Sequence, residues 1–456
     1  MGPLSIQNPL AVKVYYKDGF PVLTGAWPVL GHIPEIVRHI DSLARRGQAE
    51  HGPIFGVRGG PLGDSLFVCG PLGLELLRSK SARTEYGGLP LTRVLLGARG
   101  LLSLNGLPHQ KLRGALNPTF APRGLSLSTV GRTSEEVIKR HVAELHLHKP
   151  FAALPVMQRM TLEIIFRLFE VPLDEMEVWR KKYRELLGFR VPLTIDLPGS
   201  PWRRALRAQE WLDARLLEFV KRARARLRAD EAGDKSDSLL AALARARDEN
   251  GDLVDEEDLA VNLRLLLLAG HETTASVTAW MLLRLADDQE LSIALREEAR
   301  QGGELPRVPA DLKRFPLAEG LFRESLRLHM PVQIVSRTVT EPMMLGDALL
   351  KAGTRCNVIL SSIAREESLF PEPERFDPRR WAGRSLTPLE ISQFGGGAHF
   401  CLGYHLAVLE GAQLAVALAH RLDYLAGSLH PVGSGPVKVI TYPLVHPHPS
   451  TQLVIS

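Results

Sequence analysis

With 456 residues and 45% hydrophobic content, the chain is long enough to bury a large core. Its net charge of +5 comes from dispersed lysines and arginines rather than from a basic tract interleaved with aromatics, which argues against a nucleic-acid partner. The three cysteines, Cys69, Cys356 and Cys401, lie at wide and irregular spacing, which argues against a disulfide framework and for a reducing compartment. The opening "MGPLSIQNPLAVKVYY" lacks the regions of a signal peptide, and the most apolar stretch, "LAVNLRLLLLAG", is too short to cross a bilayer and carries Arg264. The expectation is a soluble, cytoplasmic protein without a membrane anchor.

In chain order, residues 1–50 read as a turn-filled lead-in rich in proline and glycine. "PIFGV" and "SLFVCG" follow as a hairpin, with a helix over "PLGLELLRS". From Leu104 to Leu328 the periodicity is mainly helical, with breaks at "NPTFAPRG", "FRVPLTIDLPGSP" and "DENGDLVD". The longest helical candidate runs from Asp255 to Asp288, with Asp255 able to cap it. Beyond His329, "VQIVSRTVT", "MMLGDALLKAGTRCNVIL" and "VKVITYPLVHP" read as short strands, and "GYHLAVLEGAQLAVALAHRL" returns to helix. No internal repeat or domain boundary stands out.

"FGGGAHFCLG", residues 394–403, places Cys401 among glycines at the start of that last helix. Close backbone approach and the positive end of a helix dipole both favour a thiolate, which suits a nucleophile or a metal ligand. A lone cysteine is otherwise most often a buried structural residue. His399 lies two positions away, but no signature of a cysteine nucleophile surrounds the pair. "AGHETT", residues 269–274, interrupts the longest apolar helix with polar groups, where an unpaired Glu272 would be expensive to bury.

The loop resembles the heme-binding loop of the cytochrome P450 superfamily through Phe394, Gly397, His399, Cys401 and Gly403. The resemblance implies that Cys401 is the axial thiolate and sole protein ligand of a heme iron, with Phe394 packed beside it. Arginine is commoner where His399 stands, and a forked permanent cation and an imidazole differ as partners for a propionate. "ESLR" is similar to the family's Glu-x-x-Arg signature, which implies a buried network of Glu324, Arg327 and Arg375. "AGHETT" matches the segment that crosses the heme: Ala269 and Gly270 leave room, Glu272 feeds protons and Thr273 orients dioxygen. "PHQKLRG" supplies His109 and Arg113, and "IVSRTV" supplies Arg337, at places that implied heme-propionate contacts.

Together these imply a mainly α fold with small β-sheets, the heme lying between the long central helix and the cysteine-loop helix. They imply one P450 domain over 1–456, with a β-rich lead-in to 100, a helical core over 101–330 and the β segments, loop and final helix after that. The implied activity is a heme b monooxygenase, of a kind common in secondary metabolism, that inserts one atom of O2 into a hydrophobic small molecule by hydroxylation or epoxidation. Electrons would come from a separate ferredoxin or flavodoxin-type donor, with Lys111, Arg113, Arg379, Arg380 and Arg384 expected on its docking side. A peroxide-using or rearranging heme-thiolate enzyme, or a heme protein that binds ligand without turnover, is the alternative; retention of Glu272 and Thr273 weighs against both. The pocket is expected to draw on 85–101, 189–198, 263–273, "PVQIVS" and "ITYPLV".

Overall fold

The computed structural model describes residues 19–79, 84–87, 94, 96–187, 196–229 and 238–456. The opening segment read above for targeting signals, and parts of the pocket segments 85–101 and 189–198, lie outside the described residues.

Ten helices frame the site: α1 (Ile33–His51), α2 (Pro71–Arg78), α3 (Gly106–Phe120), α4 (Val130–Ala143), α5 (Ala153–Leu168), α6 (Met176–Leu187), α7 (Pro201–Ala229), α8 (Glu256–Asp287), α9 (Pro316–Leu328) and α10 (Tyr404–Tyr424). The expected hairpin is present as β1 (Ile54–Val57) paired antiparallel with β2 (Ser65–Val68). These join β3 (Thr84–Tyr86), β4 (Ile334–Val339) and β5 (Arg355–Ile359) in a five-stranded sheet of order β1-β2-β5-β4-β3. All four residues of β1 and of β2 are buried, which matches their unbroken apolar runs.

α8 is the axis of the molecule. Asp255 caps it as expected, accepting from the backbone N–H of Glu257 at 3.0 Å and of Asp258 at 3.1 Å. Its flanks are covered by α5 and α7, and residues from Thr274 to Leu283 are buried without interruption. That all-round burial explains why this stretch has no charged residue on any face, its polar Ser276 and Thr278 being bonded to the Val445 and Thr274 carbonyls. α10 packs against α9 and α4, so the cysteine loop that precedes it is anchored in the main core. The break expected at "NPTFAPRG" is present: α3 runs through Pro118 to Phe120, and after Ala121 Pro122 opens a short new helix. No helix among the described residues is long and apolar enough to cross a membrane.

Candidate functional site

The cysteine loop is shaped by glycines that no other residue could replace. Gly395 and Gly397 have φ of 82° and 64°, and a Cβ on Gly397 would lie 2.0 Å from the Leu77 carbonyl oxygen. The loop is thereby pressed against the end of α2, and Cys401 N–H donates to the Phe394 carbonyl at 2.9 Å. Burial pushes the Cys401 thiol up, while the Gly403 N–H and the Arg113 charge pull it back. The ring of Phe394 meets Tyr404 edge-on at 4.8 Å, one layer behind Phe400, which faces the cavity.

Above the loop is a cavity of about 260 Å³ between α8 and α10. Its walls include Leu101, Phe120, Ile165, Leu265, Ala269 and Leu406, so it is mainly apolar. Gly270, Thr273 and Thr274 face it from α8, and His399, Cys401 and Gly403 from the loop. "PVQIVS" and "ITYPLV" are not among its described walls.

One end of the cavity gathers basic residues. His109 and Arg113 rise from α3 one turn apart, and the His109 ring lies 4.2 Å from that of His399. Arg337 on β4 is not one of the cavity walls; it is 3% exposed, its charge acts on His109 and His399, and its Nη1 donates to the Ser336 carbonyl at 3.0 Å. Burial, then neighbouring positive charge, lowers His109 to about 4 and His399 to about 3. Burial likewise lowers Arg337 to about 10. None of the four is paired with a carboxylate among the described residues, so the cluster is suited to an anionic group.

The polar segment of α8 divides its side chains between two directions. Thr273 faces the cavity and its Oγ1 donates to the Ala269 carbonyl at 2.6 Å. Glu272 points instead to α5, where Gln158 Nε2 donates to its Oε2 at 2.9 Å, and its Oε1 lies 3.3 Å from His271 Nε2. The missing side chain of Gly270 makes room for Ile165, whose Cδ1 would be 3.2 Å from a Cβ there.

A family model described as Cytochrome P450 matches residues 21–426. The chain belongs to the cytochrome P450 family. It is 36% identical over 455 residues to "Cytochrome P450 BJ-4 homolog" of Sinorhizobium fredii, covering 98% of this chain and 99% of that protein. It is 35% identical over 454 residues to "Cytochrome P450 BJ-4" of Bradyrhizobium diazoefficiens, with the same coverage. The solved structure of the retinoic-acid-bound cyanobacterial CYP120A1 matches the fold with a TM-score of 0.78 at 24% identity, covering 96% of this chain and all of that one.

Membership makes the protein a monooxygenase that depends on heme, O2 and a redox partner. The P450 cavity has the donor set for that cofactor: a loop thiol on one wall, His109, Arg113 and His399 at one end, and mainly apolar surface elsewhere.

The Glu-x-x-Arg helix of this P450 differs from expectation in one member. Arg327 makes a bidentate pair with Glu324, Nε to Oε2 at 2.9 Å and Nη2 to Oε1 at 2.7 Å, and both side chains are fully buried. Arg375 does not complete the network. Its side chain is 65% exposed and pairs with Glu372 at 2.8 Å, and only its carbonyl reaches Arg327 Nη2, at 3.2 Å. Arg380 takes the inward place with Nε on Glu324 Oε1 at 3.1 Å, joined by Trp381 Nε1 on Oε2 at 2.9 Å and the Asp377 N–H at 3.0 Å. The chain turns at Asp377, whose side chain caps a short helix beginning at Pro378, and this turn sends Arg380 inward.

The basic residues expected on the donor side also divide. Lys111 pairs with Glu249 at 2.9 Å, Arg113 lines the cavity, Arg380 is in the Glu324 network and Arg384 pairs with Glu390. Gln158, His271, Arg380 and Trp381 are site residues that sequence reasoning missed. Only His271 carried a local signal, since it sits inside "AGHETT".

Proposed function

We propose that this P450 inserts one atom of O2 into a hydrophobic small molecule, by hydroxylation or epoxidation, with electrons from a separate ferredoxin or flavodoxin-type protein. The cofactor is heme b, with Cys401 as the only protein ligand to its iron; no Cys-x-x-Cys-His run is present to attach the macrocycle covalently. The observation that carries the reading is the convergence of Cys401, His109, Arg113, His399 and Thr273 on one mainly apolar cavity, with the Arg337 charge felt by both histidines. Heme with an axial thiolate supplies O–O cleavage and oxygen transfer when bound.

The chain's own residues divide the remaining work. The Gly403 N–H and Arg113 favour the thiolate form of Cys401, against the burial that opposes it. Arg113 and Arg337 offer permanent positive charge to the propionates, and His109 and His399 add imidazole donors. Apolar walls of Leu101, Leu265 and Phe120 exclude water and select a hydrophobic substrate. Glu272 serves as the acid and Thr273 as the alcohol that bring protons to the cavity, a pair that favours oxygenation over rearrangement. The test is the ferrous carbon monoxide spectrum: the wild type shows the red-shifted band of a thiolate-ligated heme. A Cys401→Ser protein that kept this band would overturn the assignment.

A further inference from the structure

His271 is a buried position of "AGHETT" to which the proposed mechanism gives no task. It is 5% exposed, and its two ring nitrogens face different partners. Nδ1 lies 2.6 Å from the Leu267 carbonyl oxygen. A carbonyl can only accept, so Nδ1 carries a proton. The neutral tautomer would then leave Nε2 as a bare acceptor. Yet Nε2 lies 3.3 Å from Glu272 Oε1, and an ionised carboxylate is also only an acceptor. Two lone pairs facing each other in a buried site repel, so the contact requires one more proton between them, on the imidazole or on the carboxyl.

The surroundings keep that proton in place without supplying it from a permanent cation. From α5, Gln158 donates to the second Glu272 oxygen, and Thr161 Oγ1 donates to the His271 carbonyl at 3.0 Å. From α6, the ring of Tyr183 lies 6.0 Å from that of His271. From the short strand His446–Pro447, His446 adds positive charge near Glu272. Burial pushes the Glu272 carboxyl up, but His271, Gln158 and His446 outweigh it and the net shift is downward. The acid therefore faces imidazoles and an amide among the described residues, groups that can release a proton or hold none, where an arginine or lysine would hold its proton throughout.

We propose that His271 and Glu272 share one dissociable proton and act as a loaded proton store immediately beside Thr273, with His271 as the residue that positions and recharges the acid. The proposal rests on the reading of Glu272 and Thr273 as the acid and alcohol. In each cycle the proton leaves the pair through Glu272 toward the cavity, the pair becomes imidazole and carboxylate, and water on the partly exposed side of Glu272 returns a proton. The repulsion just described makes the emptied pair short-lived, which favours rapid reloading. Gln158 keeps the carboxyl turned to α5 while it is loaded.

The test uses the holoenzyme in its diamagnetic ferrous carbon monoxide form, with 15N-labelled histidine and His271 assigned by its absence in His271→Gln. The expected result is an Nε2 that is protonated, or that is bonded to a neutral Glu272, at pH 7. The Nε2 signal should change in Glu272→Gln, which removes the carboxyl that shares the proton. A His271 whose Nε2 is a bare acceptor beside an ionised Glu272, or an Nε2 signal unchanged in Glu272→Gln, overturns the proposal. The ratio of product formed to reductant consumed separates it from the reading beneath it. Loss of coupling in both Glu272→Gln and His271→Gln, with a shifted pH profile in the latter, supports the store. Loss in Glu272→Gln alone overturns the store and leaves the acid in place. Unchanged coupling in both overturns the acid and the store together.

Discussion

The exchange of Arg375 for Arg380 in the Glu324 network gives a ranking that can be measured. Glu324 receives two bonds from Arg327 and one each from Arg380, Trp381 and the Asp377 N–H, all within 2.7–3.1 Å. Arg327→Leu leaves a carboxylate without its bidentate partner in a site of zero exposure, a change that costs about 3–5 kcal/mol. Arg380→Leu removes the bond to Glu324 together with those to the Pro371 and Arg375 carbonyls from a side chain that is 11% exposed, and loss of the Glu324 bond costs about 1.5–3 kcal/mol. Trp381→Phe leaves Oε2 with Arg327 alone and costs about 1–3 kcal/mol. Arg375→Ala removes an exposed pair with Glu372 and should be silent. The assay is the urea midpoint of each variant at unchanged slope, together with heme content after purification. An Arg375→Ala protein as unstable as Arg380→Leu would refute the assignment of the inward arginine.

Two further outcomes concern the cavity and the helix ends. Thr273→Ala should bind substrate with unchanged affinity but divert reductant to hydrogen peroxide, so product formed per reductant consumed falls severalfold; an unchanged ratio would remove Thr273 from proton delivery. His329 is stacked on Trp280 at 3.9 Å with an interplanar angle of 9°, and burial, then nearby arginines, lowers it to about 3 from its usual 6.5. The folded state thus holds it neutral, its full contribution is present above pH 6.5, and stability should fall by about 1.4 kcal/mol per pH unit as pH drops toward 3. His329→Gln should flatten that slope in urea titrations between pH 6.5 and 4.5.

Features set by neighbours in the chain were legible, and features set by the path of the chain were not. The cysteine loop, the capped long helix and the His109–Arg113 turn each lie within one short run of the chain, so local pattern, with the family resemblance for the loop and the turn, carried them. "PEPERFDPRRW" offers Arg375, Arg379 and Arg380 as candidates for one buried carboxylate. Which one turns inward depends on the cap at Asp377 and on the approach of α9, and neither appears in local spacing. The same holds for the donor side, where counting basic residues ignored the carboxylates that Lys111, Arg380 and Arg384 meet across the fold. Gln158 is 114 positions from Glu272 and carried no local mark at all.

α8 is tied firmly toward its ends and loosely where it meets the cavity. Near its start, Asn262 accepts from the Leu101 N–H at 2.9 Å, and Arg99 pairs with Asp255, Glu257 and Asp258. Near its end, Trp280 is stacked on His329. Between them, the carbonyls of Leu267, Ala269 and His271 are each shared with a side-chain donor, from His271, Thr273 and Thr161. A carbonyl that serves two donors holds its backbone N–H less tightly, so the ladder is weakened on three alternate residues within one stretch. That weakening places the compliance of the helix beside Thr273, where dioxygen and substrate must be accommodated. The amides four residues on, at His271, Thr273 and Ala275, should therefore exchange hydrogen faster than those of the buried stretch from Trp280 to Leu283, which lies beyond the carbonyls that the Thr278 hydroxyl shares. Thr161→Val frees the His271 carbonyl and should slow exchange at Ala275 alone among the three. Equal protection along the helix in the wild type, or no change at Ala275 in that variant, would show that the shared carbonyls do not loosen it.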